Sequence, residues 1–300
     1  AQRRVTLGLP PLDAAMRGIA PGEVCEVMAR AAVGKTAFVL NVLRNVSRPL
    51  RDGGLDGRTL FFTLEMPLAQ VFERAAQIEC DLPGWRVEDE LREETEQHGR
   101  IVSRTTGAFD RVYFVDRDFL TYKDLDRYLD VAAEKLGAPV SFVVVDYLGR
   151  MQGARGDSPY EVTSTLAKQL KYLAKQRDIP ILYLHQTSRA GTDGSTPVTL
   201  DMARDSGVVE EAADFVLGLW RPDMAHSQGI EQERLRVALL KARRGPTTQV
   251  DLLFRKPTLQ IRAAAPGELP EPPPAPAQDP PAKPVRPRRR DSPAWRTGDD

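Results

Sequence analysis

Residues 23–43, EVCEVMARAAVGKTAFVLNVL, decide the fold of this chain. A short apolar run opens the stretch, Gly34-Lys35-Thr36 follows, and apolar residues at helical spacing close it. This order predicts a strand, a phosphate-binding loop and a helix, because backbone N–H groups of a tight loop and the positive end of the next helix bind polyphosphate. An ordinary amphipathic helix after a turn is the alternative, and the flanking strand and helix patterns favour a nucleotide site.

The predicted loop differs from the usual phosphate-loop motif at its first position, where Ala29 replaces Gly. Gly34 keeps the flexible position before the lysine. We expect Lys35 to contact the β- and γ-phosphates and Thr36 to bind Mg²⁺. The residues predicted to bind the nucleotide are Ala29, Arg30, Ala31, Ala32, Val33, Gly34, Lys35 and Thr36.

The composition is typical of a soluble globular protein, with 41% hydrophobic and 28% charged residues among 300. The sequence has no apolar run long enough for a membrane span and no signal pattern, which predicts a cytoplasmic protein without membrane contact. The 42 basic and 42 acidic residues balance, so any nucleic-acid site must be local. Cys25 and Cys80 are interpreted as packing residues, and no metal cluster is expected from the three dispersed histidines.

Three further apolar runs end in polar residues. Residues 59–64 are followed by Glu65, residues 141–145 by Asp146, and residues 181–184 by His185 and Gln186. Because ligands of parallel α/β sheets bind beyond the carboxyl ends of the strands, Glu65, Asp146 and Gln186 are expected to converge near the γ-phosphate. Glu65 as a helix N-terminal acid and Asp146 as a turn residue are the alternatives.

The rest of the chain predicts helices over 37–46, 67–79, 121–136 and 162–173, strands over 111–115 and 215–220, and a hairpin of 234–240 with 249–254. The hairpin tip, Lys241–Pro246, is basic. Residues 80–111 are poorly patterned, which predicts a short helix and loops. From Ala263 the pattern stops, and 11 of the 24 prolines lie between Pro266 and Pro293. We therefore expect one domain over 1–262 and an extended or disordered tail over 263–300, with a basic cluster at Arg286–Arg290.

Taken in order, six of these segments resemble the motor domain of the DnaB-type replicative DNA helicases. The segments are Ala29–Thr36, Thr63–Met66, Val143–Leu148, His185–Arg189, Arg204–Gly207 and Lys241–Pro246. The resemblance implies a RecA-like α/β fold, with a mostly parallel central sheet flanked by helices and a C-terminal β-hairpin. The chain departs from the family motifs where Ala29, His185, Asp205 and Arg244 replace Gly, Ser, Glu and Asn. The family's amino-terminal collar, which helps to assemble the ring and to dock primase, has no match in this sequence.

The same resemblance implies hydrolysis of ATP with Mg²⁺, translocation along single-stranded DNA and duplex unwinding by a hexameric ring, with a helicase loader or primase as a further partner. It implies catalytic roles for Glu65, Gln186, Lys241 and Arg243, the last two reaching the γ-phosphate of a neighbouring subunit. The implied metal ligands are Thr36 and Asp146, and the implied DNA-binding residues are Arg189, Arg204, Asp205 and Gly207.

Two other functions fit the motifs. One is a RecA-like ATPase that serves recombination or plasmid replication without unwinding DNA. The other is a nucleotide-dependent scaffold with weak hydrolysis. A hairpin tip that merely faces solvent is likewise the alternative to a catalytic tip. Unwinding of a forked duplex separates the first function from the helicase, and ATP turnover separates the second.

Overall fold

A computed structural model describes residues 4–51, 57–93, 96–156, 158–187, 194–200, 202, 212–224 and 229–270. Its strands are β1 Val24–Ala29, β2 Arg58–Thr63, β3 Val112–Asp116, β4 Leu120–Thr121, β5 Val140–Asp146, β6 Met151–Gln152, β7 Ile181–Gln186, β8 Phe215–Trp220, β9 Gln232–Ala242, β10 Thr248–Arg255 and β11 Gln260–Ala263. Its helices are α1 Pro10–Met16, α2 Lys35–Arg51, α3 Leu68–Cys80, α4 Gly84–Arg92, α5 Glu96–Ala108, α6 Tyr122–Leu136 and α7 Pro159–Arg177.

Nine strands form one sheet in the order β11-β10-β9-β8-β1-β7-β5-β2-β3, and β4 pairs with β6 separately. The six strands from β8 to β3 are parallel, and β9, β10 and β11 continue the sheet in antiparallel fashion. The predicted parallel sheet and C-terminal hairpin are therefore confirmed. The hairpin gains a third strand, β11, which the sequence pattern did not predict.

The parallel strands are buried on both faces, as their apolar runs predict. On one face Val27, Phe61 and Val144 pack in the core that contains Phe38 and Val42 of α2. On the other face the core joins the sheet to α6 and α7; it includes Phe62, Val143, Tyr183, Leu129 and Leu170. Free Cys25 is buried and free Cys80 is partly buried, which agrees with packing roles for both. None of the described helices is both long enough and apolar enough to cross a bilayer.

The prediction for residues 80–111 was wrong, because this region forms two helices, α4 and α5. Each helix buries only a thin stripe: Val87 in α4, and Ile101, Thr105 and Ala108 in α5. So few buried positions leave little periodicity to detect. Ion pairs one turn apart, such as Arg86 with Glu90, cover the outer faces and favour helix by a few tenths of a kcal/mol each.

The chain keeps tertiary contacts beyond the expected domain boundary at 262. Arg262 forms an ion pair with Glu268, and Nη2 of buried Arg234 donates to the Pro270 carbonyl at 2.6 Å. Residues 271–300, including the predicted basic cluster, lie outside the described residues. We propose that the domain ends near Pro270.

Truncation after Pro270 is expected to leave the melting temperature unchanged. Truncation after Arg262 should lower it by about 2 °C or more, because a buried guanidinium loses its acceptor. Thermal unfolding of the two truncated chains beside the full chain measures the difference, and identical melting of all three would place the boundary at 262.

Candidate nucleotide-binding site

The predicted phosphate loop connects the end of β1 to the start of α2. The loop backbone has positive φ at Ala32 (61°) and Gly34 (111°). Ala29 is still in the strand, buried and paired in register with Gln186 and Leu219. The replacement of Gly by Ala therefore falls where the backbone has ordinary strand geometry, and the left-handed position that most needs glycine, Gly34, keeps it.

Lys35 is the first residue of α2, and its side chain folds back over the loop. The ammonium group donates to the carbonyl oxygens of Ala29 at 3.3 Å and Arg30 at 3.2 Å. Burial lowers the pKa of Lys35, and the charges of Asp146 and Glu65 oppose that shift. A partly buried cation at a helix N-terminus is a site that favours a polyphosphate anion.

Asp146 ends β5 directly beside the loop. Thr36 donates through Oγ1 to Asp146 Oδ2 at 2.9 Å. Asp146 is 2% exposed, and its Oδ1 has no hydrogen-bond partner among the described residues. A buried carboxylate oxygen without a partner, next to a threonine hydroxyl, is an oxygen ligand set that suits a hard divalent cation. The predicted metal ligands, Thr36 and Asp146, therefore lie together in a geometry that fits the ion.

Burial raises the pKa of Asp146 to about 6, Glu65 raises it further, and Thr36, Lys35 and Arg74 lower it. Because the usual value is 3.8, the native state binds more protons than the unfolded state between pH 3.8 and about 6. The free energy of unfolding therefore falls as pH rises through this window. The charged carboxylate costs the nucleotide-free protein on the order of 3 kcal/mol at pH 7.

Asp146→Asn is accordingly expected to raise the melting temperature of the nucleotide-free protein at pH 7, while the amide oxygen still accepts from Thr36. The gain should shrink at pH 5, where the wild-type carboxyl is mostly protonated. Thermal unfolding of both proteins at the two pH values tests this. The same gain at pH 5 and pH 7 would show that the charge of Asp146 is not the cause.

Glu65 and Gln186 lie at the same edge of the sheet. Glu65 is exposed in the turn between β2 and α3, and its charge acts on both Lys35 and Asp146. Gln186 ends β7 opposite Ala29, and the next residue, Thr187, donates its N–H to the Ala29 carbonyl at 3.1 Å. The structure therefore brings the three predicted strand-end residues to the edge that carries the phosphate loop. Their catalytic roles stay predictions.

The side chain of Arg30 turns away from the loop. It is only 5% exposed, and its Nη1 donates to the Thr196 carbonyl at 2.5 Å while Nη2 lies 3.5 Å from the Met202 sulfur. Its backbone remains part of the predicted nucleotide loop. The side chain links that loop to the segment 194–202, which precedes the predicted DNA-binding residue Arg204.

Lys241 and Arg243 lie at the opposite edge of the sheet. The Lys241 ammonium donates to the Ala213 carbonyl at 2.9 Å, and Arg243 Nε lies 3.3 Å from Asp214 Oδ1. Asp214 precedes β8, so this contact is at the amino-terminal end of the parallel strands. Arg244 Nε is 3.7 Å from Glu23 Oε1 with a side chain that is 69% exposed. Neither predicted catalytic cation of the hairpin is brought to the phosphate loop of its own chain.

Sequence reasoning missed a buried polar pair behind the site. Glu26 of β1 is 0% exposed, and its Oε1 lies 2.7 Å from Nδ1 of His185. Burial and the nearby Glu26 charge raise the pKa of Tyr183 well above its usual value. Both signals were in the sequence, as a carboxylate within an apolar run and a histidine where the family motif has Ser. Arg74, whose charge acts on Asp146, gave no signal beyond its place on an amphipathic helix.

The four predicted DNA-binding residues, Arg189, Arg204, Asp205 and Gly207, lie outside the described residues. Within the described part of the chain, no group of three or more His, Cys, Asp or Glu side chains could hold a metal ion. This agrees with the absence of a metal cluster expected from the sequence. The Thr36–Asp146 pair needs further ligands from phosphate or water to complete a coordination shell.

Comparison with known sequences identifies relatives of this chain. Residues 5–263 match the family described as DnaB-like helicase C terminal domain. Replicative DNA helicase DnaB of Pasteurella multocida (strain Pm70) is 29% identical over 259 residues, which are 84% of this chain and 53% of that protein. Its counterpart in Geobacillus stearothermophilus is 26% identical over 258 residues, 84% of this chain and 55% of that protein. The chain therefore spans about half the length of the curated relatives it matches.

Two solved structures share the fold. One is a DnaB-like replicative helicase described with its interactions with primase, with TM-score 0.73 and 23% identity, covering 86% of this chain and 61% of that chain. The other is a separately solved ATPase domain, with TM-score 0.74 and 23% identity, covering 87% of this chain and 91% of that chain. The predicted RecA-like α/β fold is confirmed. Since the family match extends over nearly the whole described chain, from residue 5 to residue 263, this chain belongs to the DnaB-like helicase C-terminal domain family.

Proposed function

We propose that this chain is the motor domain of a replicative-type DNA helicase, which hydrolyses ATP with Mg²⁺, moves along single-stranded DNA and separates duplex strands. The observation that carries the proposal is the edge where Lys35 and the Thr36–Asp146 pair meet, with Glu65 close enough to act on both charges. The curated relatives, named replicative DNA helicases, support the choice of helicase over an accessory ATPase.

In this proposal Lys35 and the loop backbone bind the phosphates. Thr36 and Asp146 would hold Mg²⁺, which supplies positive charge to the phosphate oxygens when bound. Glu65 orients the attacking water and accepts its proton, a role that its exposed position beside the phosphate edge allows. Gln186, at the end of β7, contacts the γ-phosphate and thereby connects nucleotide state to the segment that begins at Thr187.

The proposal places ATP at the boundary between two subunits of a hexameric ring. Arg243 follows β9, at the amino-terminal edge of the parallel sheet, whereas the phosphate loop leaves its carboxyl edge. The six residues of β1 separate the two edges by about 17 Å. No arginine side chain spans that distance, so Arg243 and Lys241 act on the nucleotide of a neighbouring subunit.

Single-stranded DNA is the proposed polymer substrate, and a helicase loader or primase is a proposed partner, since one structure with the same fold is described with its interactions with primase. We also propose a cytoplasmic location, in keeping with the replicative role named for the relatives. ATP turnover with and without single-stranded DNA tests the motor function. We expect DNA to stimulate turnover and Lys35→Ala to abolish nucleotide binding; turnover at background level in the unsubstituted protein would leave a scaffold.

Arg204 is proposed to contact DNA phosphates. Phosphate contacts release counterions and do not depend on sequence, so Arg204→Ala should weaken binding to all oligonucleotides alike and reduce the salt slope by about one ion. Fluorescence anisotropy at several salt concentrations measures both quantities. Arg100→Ala, on the exposed face of α5, is the matched control and should leave affinity and slope unchanged. If Arg204→Ala behaves like this control, the DNA contact lies elsewhere.

A further inference from the structure

Asp214 has an unusually complete set of contacts at the amino-terminal edge of the sheet. It is 5% exposed. Its Oδ2 accepts from the Val24 N–H at 2.8 Å and from the Lys171 ammonium at 2.5 Å. Its Oδ1 lies 3.3 Å from Arg243 Nε. One carboxylate therefore joins the start of β1, helix α7 and the base of the hairpin tip.

The backbone repeats the same connection. The Asp214 N–H donates to the Val24 carbonyl at 2.8 Å, and the Arg243 N–H donates to the Asp214 carbonyl at 3.1 Å. Residue 213 also holds the other cation of the tip, since the Lys241 ammonium donates to its carbonyl. Both main chain and side chain at 213–214 therefore fix where the hairpin cations leave the sheet.

The guanidinium of Arg243 is not enclosed by these contacts. Its side chain is 49% exposed, whereas that of Asp214 is 6% exposed. Arg243 and Arg244 face a cavity of about 360 Å³ that Lys171, Lys175 and Asp178 also line. Asp214 thus grips Arg243 at Nε from the buried side and leaves the outer side of the side chain toward solvent.

We infer that Asp214 is a positioning residue that orients Arg243 for entry into the nucleotide site of the neighbouring subunit, an inference that rests on the proposed action of Arg243 in trans. The physical reason is entropic. An arginine with several rotatable bonds loses conformational freedom when it meets a phosphate, and a buried carboxylate with three other fixed contacts removes part of that loss in advance. A misplacement of about 1 Å at a reacting group can cost a hundredfold in rate.

The test uses mixed assemblies with two defective chains. Lys35→Ala supplies an intact hairpin and no working phosphate loop, and Arg243→Ala supplies the reverse. Mixing them should restore ATP turnover above the sum of the separate proteins. Asp214→Asn, which keeps the size and acceptor of the side chain but removes its charge, is then placed either in the Lys35→Ala chain or in the Arg243→Ala chain.

We expect Asp214→Asn to reduce the restored turnover about tenfold or more, through kcat rather than KM, when it is in the chain that supplies Arg243. In the chain that supplies the phosphate loop it should reduce turnover by less than about twofold. Asp214→Glu, which keeps the charge but shifts it by one methylene, should show the same asymmetry with a smaller loss. Asp178→Asn, in the same cavity, is the matched control and should have no effect in either placement.

Equal losses in the two placements would overturn the inference, because a general defect in folding or assembly does not depend on which chain supplies the finger. No loss in either placement would overturn it as well. If the Lys35→Ala and Arg243→Ala chains do not complement each other at all, although mass spectrometry shows mixed assemblies, the proposed action in trans fails first. The two failures are therefore distinguishable.

Discussion

Arg243→Ala is expected to lower ATP turnover about a thousandfold while nucleotide affinity changes little. An arginine that reaches a transferring phosphoryl group from a neighbouring subunit stabilises charge that develops mainly in the transition state, and such residues contribute about 10³ to 10⁵ in rate. The loss should therefore fall on kcat. Steady-state turnover and equilibrium binding of a fluorescent ATP analogue measure the two effects separately.

Arg244→Ala is the matched control, because Arg244 is the next residue in the same hairpin tip. It lies 3.7 Å from Glu23 and is 69% exposed, which is the geometry of a weak surface ion pair. Its removal should change turnover by less than about threefold. Comparable losses in the two variants would mean that the tip acts through its total charge rather than through Arg243.

Glu65→Gln is expected to slow ATP turnover at least about a hundredfold while leaving ATP binding intact, since the amide keeps the shape of the side chain and loses the base. The exposed position of Glu65 in the turn after β2 leaves it free to meet a water molecule, and its charge already acts on Lys35 and Asp146. Turnover under saturating ATP gives the rate.

Glu88→Gln in α4 serves as the control for that substitution, because Glu88 is an exposed acid whose partner is Arg92 within the same helix. It should turn over ATP like the unsubstituted protein. Wild-type turnover in Glu65→Gln would remove the assigned role of Glu65 and leave another group to activate the water.

The parts of the fold that the sequence predicts well are those encoded locally. Thr121 and Asp124 predict a capping box, and each does accept from the backbone N–H of the other. The carboxyl ends of β2, β5 and β7 follow from apolar runs that stop at a polar residue, since strands buried on both faces show no alternation. That is why Glu65, Asp146 and Gln186 could be placed at one edge before any coordinates.

The parts that escaped prediction depend on partners far away in the chain. The Val24 N–H and the Asp214 carboxylate are 190 residues apart in sequence, so no local pattern marks Asp214 as part of the hairpin base. The pairing of Glu26 with His185 depends on the register of β1 against β7. Helix α5 was missed for a different reason, because it buries too few residues to show a helical period.

The most direct test of the motor proposal is strand separation on a forked DNA duplex in the presence of ATP and Mg²⁺. The account predicts unwinding that requires hydrolysable ATP and a single-stranded arm, and that disappears in Lys35→Ala and in Arg243→Ala. ATP turnover stimulated by single-stranded DNA, with no strand separation on any fork, would contradict the helicase proposal and identify the chain as an accessory ATPase.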